Sequence, residues 1–188
     1  MPNVYVIGGA NGAGKTTTAL TVLPNFLNVV EYINADAIAA ELSPINPEAM
    51  AIPAGRIMLK RLTSLVAQEI DFAFETTLAS RSFAPFLRNC KTSGYIINLI
   101  YFWLQSPELA IARVASRVHS GGYSIPEDTI RRRYTRGLRN LASLYLPICD
   151  RWIIYDNSGT ASRLVAEYGS EQSPIIYNRD TWSQIMEN

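Results

Sequence analysis

The stretch Val4-Tyr5-Val6-Ile7-Gly8-Gly9-Ala10-Asn11-Gly12-Ala13-Gly14-Lys15-Thr16-Thr17 decides how the rest of the chain is read. Four apolar residues run straight into glycines, and positions 9 to 16 spell G-x-x-x-x-G-K-T, the spacing of a Walker A phosphate loop. Gly8, Gly9, Gly12 and Gly14 let the backbone turn tightly and bring its N–H groups against an anion. The helix expected to follow points its positive end at the same anion. Gly9, Ala10, Asn11, Gly12, Ala13, Gly14, Lys15, Thr16 and Thr17 are therefore the candidate nucleotide-contacting residues. Lys15 has the reach for the outer phosphates, and the Thr16 hydroxyl is the candidate Mg²⁺ ligand.

Composition sets bounds around this loop. The 188 residues fit one domain with a full core, and 48% hydrophobic content is ordinary for a globular protein. A net charge of +1 gives no overall pull toward nucleic acid or an anionic membrane, so neither is expected as a partner. Two cysteines, Cys90 and Cys149, are too few for a disulfide framework, and one histidine excludes a histidine-rich metal site. No cleavable signal fits and no run of about 18 apolar residues exists, so the expectation is a cytoplasmic protein.

Outward from the loop, apolar strands alternate with helical patterns. Strands are expected at 4–8, 29–33, 72–77, 95–104 and 152–155. Helices are expected at 15–23, ended by Pro24, then at 36–42 and at 48–69, with Pro53 kinking the last or setting its start. Further helices are expected at 81–93, interrupted near Pro85, at 106–120 and at 126–146. Residues 156–159 read as a turn, 164–168 and 174–177 as a small hairpin, and 181–186 as a short terminal helix. The alternation predicts an α/β fold: a three-layer α/β/α sandwich on a mostly parallel sheet, in one domain over 1–188. A helical, arginine-rich lid is expected at about 107–146.

Two acids leave strands at the edge where the phosphate loop lies. Asp36 follows the second strand and Glu75 the third, and ligands of open α/β sheets bind at that carboxyl edge. Asp36 also suits a helix N-cap, and the two roles are compatible. Seven arginines fall between positions 113 and 139. On the helix expected at 126–146, Arg131 and Arg133 flank the apolar stripe, whereas Arg132, Arg136 and Arg139 point away from it. Arg56, Lys60 and Arg61 read as the wet face of the preceding long helix. No Asn-Lys-x-Asp guanine motif, no Leu-Ser-Gly-Gly-Gln-like signature and no aspartate pair after a strand is present. What remains suits phosphoryl transfer to a small acceptor: one carboxylate takes the acceptor's proton, another orients acceptor or metal water, and lid arginines neutralise growing charge. The alternative is an ATP-binding switch or slow ATPase acting through a partner protein, with Asp36 only a cap. A nucleic-acid end kinase would use the arginines as a phosphate track, against which the near-neutral charge argues.

Residues 8–17, Asn34-Ala35-Asp36, Phe74-Glu75-Thr76-Thr77, and Arg117 through the run 120–128 together resemble the zeta-toxin-like P-loop kinases. The closest look is to a bacterial branch of small stand-alone ATPase/kinase proteins, and the resemblance runs from about residue 3 to residue 157. It implies a P-loop nucleotide-kinase-like sandwich using ATP and Mg²⁺. It further implies Lys15 and Thr16 on phosphates and metal, Asp36 as catalytic base, Glu75 as a substrate-contacting acid with Thr77 beside it, and Arg117 as a lid arginine reaching the γ-phosphate. The best-known members phosphorylate UDP-N-acetylglucosamine at a sugar hydroxyl and are toxins restrained by an antitoxin, so a nucleotide-sugar acceptor and a protein partner are further expectations. The toxins carry a second lid arginine where this chain reads Gly121-Gly122-Tyr123; helical phase offers Arg131 or Arg133 instead.

Overall fold

The computed structural model describes residues 1–169 and 173–187. Seven strands form one sheet among them, in the order β2-β3-β1-β4-β5-β6-β7. These are β1 (Asn3–Gly9), β2 (Glu31–Asn34), β3 (Phe72–Thr76), β4 (Ile96–Trp103), β5 (Arg151–Asp156), β6 (Arg163–Tyr168) and β7 (Ile175–Ile176). The first five are mutually parallel, and β6 and β7 add antiparallel at one edge. The chain leaves β1 for β2, returns to β3 beside β1, then crosses to β4 on its other side. That reversal makes the carboxyl end of β1 a topological switch point, where loops diverge and a crevice opens.

Helices cover both faces. On one, α1 (Lys15–Phe26) and α5 (Pro107–His119) pack Ala19, Leu23, Ala110 and Val114 against Ile7, Ala73 and Phe102. On the other, α3 (Ala51–Ala67), α4 (Phe83–Thr92) and α7 (Arg179–Met186) pack Met58, Leu62, Leu87 and Ile185 against Val6, Phe72, Phe74, Leu99 and Trp152. The remaining helices, α2 (Ala35–Leu42) and α6 (Glu127–Asn140), lie over the carboxyl edge, and α6 runs on into a π-helical turn, Leu141–Tyr145. The α/β three-layer reading therefore stands. Among the described residues, no helix is long and apolar enough to cross a membrane.

Several boundaries differ from expectation, and prolines explain most of them. Pro24 does not end α1, which continues to Phe26. A proline lacks one N–H and frees one carbonyl four residues back, here that of Leu20, which is itself exposed. Pro53 sets a start rather than a kink: a 3₁₀ turn at Pro47–Met50 precedes α3, and Pro53 falls in its first turn, where N–H groups lack partners anyway. Pro85 likewise lies in the first turn of α4, which begins at Phe83 and is not interrupted. The second strand starts at Glu31 rather than at residue 29, because Val29 is buried off the sheet and Val30 faces solvent. The hairpin expected near the end is β6 with β7; residues 170–172 of its connection lie outside the described residues.

Candidate active site

The loop between β1 and α1 has the build of an anion cradle. Gly9, Gly12 and Gly14 hold φ of 145°, 79° and 85°, and a Cβ on Gly9 would stand 2.4 Å from the carbonyl oxygen of Phe102. Only glycine fits that close approach of β1 to β4. Gly14 begins α1 with no side-chain cap and no acid in the first turn. In contrast, α2, α5 and α7 are capped by Asn34, Ser106 and Asn178. The first N–H groups of α1 are thus left for an external anion. The Asn11 side-chain oxygen, buried in the same loop, has no partner among the described residues.

Lys15 folds back over the loop and donates to the Ala10 carbonyl at 2.9 Å. Its ammonium lies 3.5 Å from a Glu75 carboxylate oxygen, with the two side chains 5% and 8% exposed. The parallel register explains the meeting: Glu75 on β3 pairs with Ile7 on β1, just before the glycines, and with Asn34 on β2. Thr16 donates its hydroxyl to the other Glu75 oxygen at 2.7 Å, and the Tyr32 phenol donates to that same atom. Burial first, then the Glu75 charge, pushes the Tyr32 phenol well above its ordinary range. Tyr32 thus stays protonated and serves Glu75 as a donor. Glu75, read from the sequence as a substrate-contacting acid, sits hard against Lys15 and Thr16.

Asp36 reaches the cleft because it is not the cap. Asn34 caps α2, accepting from the backbone N–H groups of Asp36 at 2.9 Å and Ala37 at 3.3 Å. The Asp36 carboxylate is then free to meet Arg133, 4.0 Å away, whose other nitrogen lies 3.5 Å from Glu48. Lys15, Asp36, Glu75, Thr77 and Arg133 line one cavity of about 550 Å³. The structure does not bring Arg117 or Arg131 into it. The Arg117 guanidinium lies over the Tyr123 ring, 4.9 Å from its centre, and Arg131 is tied to Glu108 on α5. Tyr123 in turn sits against Asp36; burial and that carboxylate push its phenol up.

The sequence left several lining residues unassigned. Arg132 and Arg136 point away from the apolar stripe as their phase required, but the space they enter is the cleft. Arg56 lines it too, from α3, whereas its neighbour Arg61 pairs with Glu31 at 2.8 Å on the outside. The turn at 156–159 is more than a turn: the Asn157 amide donates to the Ala13 carbonyl at 2.6 Å, and Arg113 donates to the carbonyls of Ser158 and Gly159 at 3.1 and 3.3 Å. These bonds brace the phosphate loop from the β5 side. Side-chain spacing could not have found them, because they join positions 45 to 144 residues apart through backbone carbonyls.

A glycine-cradled loop at a parallel sheet's switch point, an invading lysine and paired acids define the class: a P-loop α/β protein of the kinase type. The family model described as Zeta toxin matches residues 1–166, and the chain belongs to the Zeta toxin family. It is 33% identical over 126 residues to an uncharacterized protein of Haemophilus influenzae, a match covering 67% of this chain and 88% of that one. Among solved structures it is similar to a chain of the AvrRxo1-ORF1:AvrRxo1-ORF2 complex with sulphate ions, at TM-score 0.79 and 13% identity over 99% of this chain and 64% of that one. The same complex solved with ATP gives TM-score 0.76 at 14% identity, with the same coverage of 99% and 64%. The PezAT chromosomal toxin-antitoxin system of Streptococcus pneumoniae gives TM-score 0.71 and 21% identity over 100% of this chain and 79% of that one. The chain thus spans under two thirds of the AvrRxo1 chain it matches, and at these identities the likeness is one of fold.

Proposed function

We propose that this protein is a phosphotransferase that moves the γ-phosphoryl group of MgATP to a hydroxyl of a small acceptor. The observation that carries this reading is the shared cleft: Lys15, Asp36 and Glu75 open onto one cavity beside the glycine cradle. MgATP, when bound, supplies the transferable group and the metal's counter-charge. The residues fit it. The loop N–H groups and Lys15 hold phosphate oxygens, and Thr16 with Glu75 offers a hydroxyl and a carboxylate to the metal or its waters; Mg²⁺ beside a nucleotide needs only one or two protein ligands. Asp36 accepts the acceptor's hydroxyl proton as its oxygen bonds to phosphorus and the bond to ADP breaks. Arg133 pairs with Asp36 and aims it, and Arg117 adds charge at the γ-phosphate once the lid carries it off Tyr123. Family likeness makes nucleotide sugars such as UDP-N-acetylglucosamine the first acceptors to try, and a protein antitoxin the partner to look for. ATP use fits a cytoplasmic setting.

The test is transfer of label from γ-labelled ATP across a panel of sugars, sugar phosphates, nucleosides and nucleotide sugars. Labelled product other than free phosphate is expected. In Asp36→Ala, transfer should fall by about 10²-fold or more while ATP affinity stays within a few-fold. Wild-type transfer by that variant would remove Asp36 from the base role, and free phosphate alone across the panel would favour the ATP-driven switch.

A further inference from the structure

The cleft carries more positive charge than the transfer chemistry uses. Arg56 enters it from α3, and Arg132 and Arg136 from α6. Their neighbour Arg133 is engaged by Asp36 and Glu48. By contrast, Arg56, Arg132 and Arg136 make no ion pair among the described residues; Arg132 has only a 3.4 Å contact to the Thr129 hydroxyl. The acids of that cavity, Asp36 and Glu75, are engaged by Arg133 and Lys15, so three guanidiniums lining one concave space without a carboxylate partner repel one another and concentrate the field there, an arrangement suited to an anionic ligand.

A second observation marks the same wall. Gly55 sits in the interior of α3 next to Arg56, where glycine is disfavoured. Neither backbone angle nor packing requires it: its φ is not positive, and a Cβ there would meet nothing within 4 Å. Yet Gly55 lines the cavity. A missing side chain with open space before it leaves room for something other than protein.

We propose that Arg56, Arg132 and Arg136 form an anion subsite for a phosphoryl group carried by the acceptor, and that the acceptor is a phosphorylated sugar or polyol. This rests on the phosphotransferase reading above. A phosphate monoester brings close to two negative charges and three acceptor oxygens, which three guanidinium forks match. Among the described lining residues the one aromatic ring is Phe83, which is 8% exposed. Its ring is engaged with Phe74 at 5.1 Å, so the wall offers no platform on which a nucleobase would stack.

Calorimetry on protein saturated with Mg²⁺ and a non-hydrolysable ATP analogue separates the subsite from the cradle. Inorganic phosphate should bind this loaded protein with an affinity that falls as salt rises. Arg132→Gln and Arg136→Gln should each weaken it at least tenfold, and Gly55→Leu, which fills the space, should do the same while melting no lower than wild type. Absence of phosphate binding to the wild type, or wild-type affinity in all three variants, overturns the subsite. In the transfer assay, sugar phosphates should be labelled and the parent neutral sugars should not. Equal labelling of both, or labelling confined to sugar acids or to UDP-N-acetylglucosamine, overturns the phosphorylated-sugar assignment while leaving phosphotransfer intact. Phosphate binding with no labelled acceptor of any kind would instead sink the phosphotransferase reading and leave the anion subsite standing.

Discussion

Glu75 is where single residues matter most. It is nearly buried, yet it is met by three donors from two elements: Lys15 and Thr16 of α1 and Tyr32 of β2. Removing the acid leaves the nearly buried Lys15 ammonium with the Ala10 carbonyl as its remaining partner, and breaking a buried pair from one side costs about 3–5 kcal/mol. Removing one donor costs less, because the acid keeps the other two; a hydrogen bond to a charged group contributes about 1.5–3 kcal/mol. Urea unfolding of the nucleotide-free protein should therefore rank Glu75→Ala as markedly less stable than Tyr32→Phe. Equal losses would mean that Lys15 finds solvent when Glu75 is gone. Asp36 shows what a sequence can and cannot say at this scale. Its position after a strand marked it correctly as an edge residue, but whether it caps α2 depends on which neighbour's side chain turns inward, and Asn34 does so. Tyr32 carried no signal at all, since one tyrosine in a strand looks like any other until β3 is placed beside it.

At the scale of elements, α6 is the piece that ties the cleft to the loop after β3. Its residue Gly137 lies against the loop after β3, where a Cβ would come within 2.3 Å of the Thr77 carbonyl oxygen. Asn140 donates to the carbonyls of Leu78 and Ala79 at 2.8 and 3.2 Å, and Tyr145, in the π-turn, donates to that of Ser80. The helix-interior glycines of α3 and α6 then predict opposite signs. Replacing glycine by alanine inside a helix ordinarily stabilises by about 1 kcal/mol. Gly55→Ala should follow that rule. Gly137→Ala should instead destabilise by about 1–3 kcal/mol, because backbone must shift to admit the methyl. Thermal melts of both variants check the contrast, and a stabilised Gly137→Ala would show that the 77–80 loop yields freely. Helical periodicity had this helix, its stripe and the outward phase of Arg132 and Arg136. It could not show that outward meant into a cleft rather than into water, because the covering wall, α3, is more than sixty residues earlier in the chain.

For the molecule as a whole, strand count and parallel class were legible because buried parallel strands are short apolar runs separated by helices. The order β2-β3-β1-β4-β5 was not, since neighbours in the sheet are chosen by crossovers rather than by sequence adjacency. That order also buries many weakly acidic groups. Burial pushes the Cys90 and Cys149 thiols up to about 12 from 9.0, and the Tyr134 phenol up to about 12 from 10.0. The phenols of Tyr32, Tyr101 and Tyr145 are raised further, again chiefly by burial. Each raised group stays protonated in the folded chain after its unfolded counterpart has ionised. The folded state then holds more protons than the unfolded one, so stability falls as pH rises, and this starts near the unfolded values of 9.0 for thiol and 10.0 for phenol. Below pH 9 these groups contribute no slope. Urea midpoints measured from pH 7 to 11 should hold until about pH 9 and then drop progressively. Tyr134 separates this effect from general alkaline damage. Its hydroxyl donates to the Leu104 carbonyl at 2.6 Å, so Tyr134→Phe should cost about 1 kcal/mol at pH 7. At pH 11 the unfolded wild type gains stability from ionising this phenol and the variant has none to ionise, so the gap between the two should narrow. A gap that stays constant from pH 7 to 11 would mean that the Tyr134 phenol titrates alike in both states, and the alkaline slope would then have to come from elsewhere.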